Sequence, residues 1–408
     1  MLAVALGGCT SSPDPVPDPS FGSPSVKPGP VVAVSFVGTL DDPADTQYLD
    51  AARLAVQEVN EGPDPIRLTL SVVDDGGDAG RARESVLAAA ESATAILYAG
   101  PGAVLRDVRA QLEPTQVPVV LLGGDLYTTR DLYSNVFQAS HPLLWQARVI
   151  AKYLFVRGED AATALLDGTE LEESETAWTS AAAEEGIGSS PDEPAIPDGF
   201  PVVVLGDVGQ APFGVPAPQI LATNELFATP PDATLRPGTV VVESYAWSGW
   251  AEPIKRVKTF RDAFRAEYGR LPMGLEQQGY DAARLLGLGL ADTEGAGGRE
   301  LIARLEQIKY RLFSYMGIRL GPDDHTFYDD WTLGMFAVAG PDEPVDAWME
   351  GATPWRPIMR TFSYDLERTT IWERDRGPFF PNWHEPAPSP KYWWSRLGII
   401  TRPGDPLH

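Results

Sequence analysis

Cysteine is nearly absent from this sequence. Cys9 is the single one in 408 residues, so no intrachain disulfide forms, and only four histidines (His141, His325, His384, His408) accompany it. Zinc sites built from Cys and His lack raw material, and no cofactor is implied. Positive charge is scarce as well: 32 Lys and Arg stand against 57 Asp and Glu, a formal net charge of -25. Such an excess repels phosphate backbones and anionic headgroups, which argues against nucleic acid as a partner. No stretch approaches the roughly 18 to 20 apolar residues of a membrane-spanning helix. Gly123-Gly124 is not followed by Gly-Lys-Ser/Thr, so it is no phosphate loop, and no G-x-S-x-G nucleophile motif occurs. What is present is ordinary globular composition, 43% hydrophobic and 22% charged, at a length that suits two domains.

Cys9 closes the run Leu6-Gly7-Gly8-Cys9, behind the apolar Met1-Leu2-Ala3-Val4-Ala5. This resembles a bacterial lipobox, in which small residues before a cysteine admit a peptidase and a diacylglycerol is joined to the thiol. The usual basic leader is missing and the apolar run is short, so the start of translation is expected upstream. Thr10 to Pro30 is rich in Pro, Ser and Asp, the composition of a tether. The alternative is a frayed terminus with an incidental cysteine. Coincidence of small residues, cysteine and polar tether favours a lipid-anchored protein on the outer face of the cytoplasmic membrane, with residues 1–30 as lipobox and tether.

Regular structure is expected from Val31. Val31 to Val37 reads as a buried strand, and Thr46 to Asn60 as a helix with Leu49, Ala52, Val56 and Val59 on one face. Strands are expected over 68–73, 95–99, 117–122, 162–166, 202–205 and 239–243. Helices are expected over 82–93, 104–112, 141–155, 172–185, 255–268, 277–290 and 299–312. Strands alternating with helices across short loops imply βαβ units and parallel sheets. From about residue 346 the composition changes: six of the eleven tryptophans (Trp348, Trp355, Trp372, Trp383, Trp393, Trp394) fall there among prolines. An irregular aromatic extension is expected over 346–408, either an arm wrapped on the body or a surface for a partner protein or glycan.

Several segments are similar to type I periplasmic substrate-binding proteins, in particular the leucine/isoleucine/valine-binding group. They are Asp50-Ala51-Ala52-Arg53-Leu54-Ala55-Val56-Gln57-Glu58-Val59-Asn60, Tyr98-Ala99-Gly100-Pro101, Val117-Pro118-Val119-Val120, Val136-Phe137-Gln138 and Gly279-Tyr280-Asp281-Ala282-Ala283. The similarity spans about residues 31 to 340 and is loose between 156 and 250. It implies an α/β fold of two Rossmann-like lobes with parallel sheets joined by three crossovers, near Ser140, Ser248 and Phe327. Residues 31–139 and 249–322 would form one lobe, and 140–248 with 323–345 the other. The function it implies is capture of a small polar ligand, an amino acid or related solute, between closing lobes for an ABC permease.

In that family, hydroxyls and amides after the "G-P" strand and the next strand hold a carboxylate, and an acidic group of the second lobe holds the ammonium. The matching positions here are Gly102 and Ala103, then Asp125 and Tyr127. Gly102 and Ala103 carry no hydroxyl, and Asp125 would repel a carboxylate, so either loop solvation or ligand contact fits it. On the second lobe, Asp207, Asn224 and Glu225 occupy rim positions. Trp247 follows a strand, where hinge packing competes with lining the cleft. These departures keep a rival open: a binding-protein fold recruited as an accessory or structural subunit of a membrane assembly.

Other constellations read as structural. Asp74, Asp75 and Asp78 lack calcium-loop spacing and are expected to form a solvated strand end. His325 beside Asp323 and Asp324 is expected in a polar turn. Glu172, Glu173 and Glu175 open a helix, where acids suit the dipole. Nothing in the sequence calls for an enzyme.

Overall fold

The computed structural model describes residues 29–123, 134–166, 171–190, 200–206, 219–223, 239–244, 255–270, 272, 274–314, 317–322, 324–328, 333–338, 355–360 and 370–371. The first sheet comprises β1 (Val31–Gly38), β2 (Arg67–Asp74), β3 (Ala95–Tyr98), β4 (Val119–Leu121) and β5 (Val136–Gln138). All five strands are parallel, in the order β2-β1-β3-β4-β5.

Between these strands run α1 (Pro43–Glu61), α2 (Ala79–Ser92) and α3 (Gly102–Leu112). The start of α1 is set locally: the Asp42 side chain accepts from the amides of Ala44 and Asp45, and Pro43 takes the first helical position. Its stripe of Leu49, Ala52, Val56 and Val59 is buried, as helical spacing predicts. Asp78 caps α2 in the same way, accepting from the Arg81 amide.

Later in the chain, α6 (Lys255–Tyr268), α7 (Gly274–Asp292) and α8 (Gly298–Leu305) return to the first sheet. Phe260, Phe264, Leu286, Leu290 and Leu301 share one core with Phe36, Tyr48 and Leu97. Helices α1 and α7 pack very closely: a Cβ on Gly279 would lie 2.4 Å from the Tyr48 carbonyl oxygen. Only glycine admits that approach.

The second sheet holds β6 (Ala161–Leu166), β7 (Gly188–Ser190), β8 (Val202–Leu205), β9 (Ile220–Ala222), β10 (Val240–Ser244), β13 (Leu333–Val338), β14 (Trp355–Arg360) and β15 (Thr370–Ile371). Its order is β15-β14-β13-β10-β9-β8-β6-β7. Strands β6 to β10 are parallel in the same pattern as the first sheet, while β13 to β15 run antiparallel. On it pack α4 (Leu143–Arg157) and α5 (Leu171–Glu185), around the fully buried Trp178. A small pair, β11 (Lys309–Leu312) with β12 (Gly317–Arg319), stands apart.

The parallel five-stranded cores of the two sheets and their element order agree with the expected fold class. Two details differ. The helix expected over 299–312 stops at Leu305, and Lys309–Leu312 is a strand. Leu301, Leu305, Ile308 and Leu312 keep helical spacing by accident, and pairing with Gly317–Arg319 overrides it. The segment after residue 346 is also less irregular than expected, since β14 and β15 extend the second sheet. Pro357 is tolerated in β14 because the register shifts there, between Met335 and Phe336 of the partner strand. The remaining tail tryptophans (Trp348, Trp372, Trp383, Trp393 and Trp394) lie outside the described residues.

The chain leaves the first sheet through Ala139, Ser140 and His141, all buried. A later passage, His325 to Tyr328, runs beside it. The Gln138 amide donates to the His325 carbonyl at 2.9 Å, and the Phe327 amide donates to the Gln138 carbonyl at 2.9 Å. Two interdomain crossings are thus stitched together as a short parallel bridge. The middle crossing expected near Ser248 lies outside the described residues.

Candidate ligand cleft

In an open α/β sheet with this strand order, ligands bind outside the carboxyl ends of the strands at the topological switch point. Here that point lies between β1 and β3, where Gly38-Thr39 and Ala99-Gly100-Pro101 leave the sheet. Small residues let the strand exits pack closely here: a Cβ on Gly123 would lie 2.5 Å from the Ala99 carbonyl oxygen, and one on Gly100 2.4 Å from the Tyr98 hydroxyl. Gly102, buried, and Ala103, half-buried, form the first turn of α3, whose N-cap position is Pro101. Both sequence-predicted positions therefore fall at the switch point, and neither offers a side-chain donor.

The β1 side of the crevice is built from acids. The Thr39 amide donates to Asp45 Oδ2 at 2.6 Å and its hydroxyl to Asp75 Oδ1 at 2.7 Å. Asp74 accepts from the amides of Leu40 at 3.2 Å and Gly76 at 2.9 Å. Asp75 is buried, so the expected solvated strand end is corrected: its carboxylate is a turn former that ties the β1 and β2 exits together. Burial, reinforced by Asp42 and Asp75, pushes the Asp45 carboxyl up to about 8 against the Thr39 hydrogen bond. The amides that Asp74 accepts from Leu40 and Gly76 hold its carboxyl below the usual range.

A pH dependence follows from Asp45. The unfolded carboxyl releases its proton near 3.8 and the folded one near 8, so between them the folded state holds more protons. Stability then falls as pH rises through that window, by up to about 1.4 kcal/mol per pH unit for this group. Asp45→Asn keeps an acceptor for Thr39 and removes the titration. Urea denaturation of the variant should show a smaller decline between pH 5 and 8 and greater stability at pH 8; an unchanged slope would contradict the assignment.

Below the cleft the crossings are wired by buried polar groups. The Tyr328 hydroxyl donates to Asp281 Oδ2 at 2.8 Å, and the Ser314 amide and hydroxyl donate to the same carboxylate at 2.9 and 2.8 Å. Burial raises Asp281 to about 6 despite those bonds. Tyr328 stacks on His141 with ring centroids 5.0 Å apart, and burial lowers His141 to about 3. His325 does not sit in a polar turn. It is buried, stacks on Phe137 at 4.2 Å, donates from Nδ1 to the Val136 carbonyl at 2.9 Å and meets Glu306 through Nε2 at 3.1 Å. Sequence reasoning missed His141, Ser314 and Tyr328, and took Asp281 only as part of a motif. One signal for it was present: an acid just ahead of the apolar Leu285, Leu286, Leu288 and Leu290 of α7.

On the second sheet, the Gly206 amide donates to the Thr223 hydroxyl at 2.9 Å, joining the carboxyl ends of β8 and β9. Asp207, Asn224 and Glu225 follow those two residues directly, and they lie outside the described residues, as do Asp125, Tyr127, Trp247 and Cys9. Among the described residues no group of three or more His, Cys, Asp or Glu is placed to hold a metal ion. Among the same residues, no helix is long and apolar enough to cross a membrane.

Two sheets of repeated topology and stitched crossings define the type I periplasmic binding protein fold. A periplasmic binding protein type 1 from Bordetella pertussis superposes with a TM-score of 0.66 at 15% identity, covering 80% of this chain and 100% of that one. An ABC transporter substrate-binding protein from Desulfitobacterium hafniense in complex with Leu gives 0.63 at 19% identity, covering 75% and 97%. A solute-binding protein of an ABC transporter from Rhodopseudomonas palustris in complex with 3,4-dihydroxybenzoic acid gives 0.63 at 14%, covering 76% and 94%. At these identities the likeness establishes the fold. No protein-family model matches the chain, and no curated protein matches its sequence.

Proposed function

We propose that this protein is an extracytoplasmic solute-binding protein, anchored by lipid at Cys9, that encloses a small polar ligand between two closing lobes and presents it to an ABC importer. The observation that carries this reading is the β1/β3 switch point, where Gly100 and Gly102 follow β3 and Gly123 follows β4, in a fold whose solved examples include complexes with Leu and with 3,4-dihydroxybenzoic acid. One lobe would comprise residues 31–139 and 249–322, the other 140–248 and 323–345, with β14 and β15 added to its sheet. The reading is of a binder and not an enzyme. Asp125, Tyr127, Asp207, Asn224, Glu225 and Trp247 remain the proposed contacts, with Gly102 and Ala103 contributing backbone only.

A second reading is favoured by one feature, the lack of any hydroxyl at Gly102 and Ala103: a non-transport subunit of a membrane-associated assembly. A melting-temperature screen against amino acids, aromatic acids and other small polar solutes separates the two. A ligand at a hundred times its Kd stabilises by about 2.7 kcal/mol, or roughly 5 to 10 °C for lobes of this size. Such a shift with any solute supports the first reading. No shift with any compound, together with copurification of a membrane complex, supports the second.

A further inference from the structure

We propose that Arg106 and Glu173 form a latch across the mouth of the crevice that sets how much of the ligand-free protein is closed. Helix α3 begins after the carboxyl end of β3 in the first sheet, and α5 begins after the carboxyl end of β6 in the second. Arg106 is the fifth residue of α3 and Glu173 the third of α5, so both lie within the opening turns of helices that border the ligand face. Their guanidinium and carboxylate meet as an ion pair.

The two helices belong to separate cores. Val104, Leu105 and Val108 of α3 pack with Ile96 and Tyr98, while Ala177, Trp178 and Ala181 of α5 pack with α4 and β6. Neighbouring charges on α3 pair within their own domain, Asp107 with Arg83 and Arg109 with Glu113. Arg106 instead reaches the other domain.

The burial of the pair is unequal: the Glu173 side chain is 7% exposed and that of Arg106 45%. This makes the latch directional. With the domains together, loss of Arg106 strands a carboxylate away from water, which is strongly unfavourable; on this proposal, separating α3 from α5 opens that carboxylate to water. Arg106→Ala should therefore penalise the closed form specifically. Glu173→Gln removes the attraction without stranding a charge, because Arg106 stays partly in water, and its effect should be smaller.

The inference rests on lobe closure, and its test uses ligand-free protein, so that it fails independently of any ligand. Small-angle X-ray scattering is recorded on wild type, Arg106→Ala, Glu173→Gln and the reversal Arg106→Glu/Glu173→Arg, each shown to be folded by circular dichroism. The ratio of open to closed protein should rise about tenfold in Arg106→Ala, seen as a larger radius of gyration, and less in Glu173→Gln. The reversal should bring it back towards wild type. Arg106 lies on the surface of α3, so its variant is expected to fold, and Glu173→Gln reads the same equilibrium independently. Identical scattering from wild type and both single variants would overturn the latch, as would a reversal that stays as open as Arg106→Ala.

Discussion

Titration calorimetry with leucine, isoleucine and valine should give millimolar dissociation constants or no heat. A carboxylate moved from water into a closed cleft needs donors, and a desolvated charge left without them costs of order 2 to 5 kcal/mol. At about 1.4 kcal/mol per decade, a micromolar site becomes a millimolar one. The first turn of α3 offers Gly102 and Ala103, with no hydroxyl, behind Pro101 at the N-cap. The β1 side of the crevice adds Asp42, Asp74 and Asp75 within one turn system, a field that disfavours an anion, while Asp45, raised to about 8, stays largely protonated near neutral pH. Backbone amides of α3 offset part of the loss. Micromolar binding of any of the three amino acids would show that the carboxylate is held elsewhere, by residues this account does not assign.

Replacing Cys9 by alanine, in a chain expressed with a complete signal sequence, should move the protein almost wholly from the membrane fraction to the soluble one. Two acyl chains give stable attachment where one gives marginal, reversible binding. No described helix is long and apolar enough to substitute as an anchor. Fractionation followed by immunoblotting reads the result. Retention of Cys9→Ala in the membrane fraction would sink the lipid anchor and leave attachment to a membrane partner.

The parts of the fold that were legible in the sequence are those with a strong period or a local stop signal. Helix α1 announced itself through a four-residue apolar stripe, expected from Thr46 although the helix starts at Pro43, and β1 through a largely apolar run ending at Gly38. Helix α6 was expected over 255–268, where it is found. Strand β9, Ile220–Ala222, passed unnoticed because three residues show no alternation; only parallel pairing to β8 and β10 makes them a strand. Lys309–Leu312 was misread because its apolar spacing continued that of α8. The site divides similarly. Gly102 and Ala103 were found through a strand-end motif, and they lie at the switch point. The buried group formed by His141, Asp281, Ser314 and Tyr328 was not found, since residues 33 to 187 positions apart meet only in the folded chain. Asp75 and His325 were read as solvated because polar neighbours surround them in sequence, whereas tertiary hydrogen bonds supply partners that permit burial.

The central claim is that a small solute is enclosed between the two lobes. A crystal structure of the protein soaked with the solute that most raises its melting temperature, set beside a ligand-free crystal, tests it most directly. The account predicts density for that solute outside the carboxyl ends of β1 and β3, beside Thr39, Gly100 and Gly102, in contact with residues of both lobes. Density bound elsewhere, or a crevice identical in the two crystals while the melting temperature rises, would contradict it.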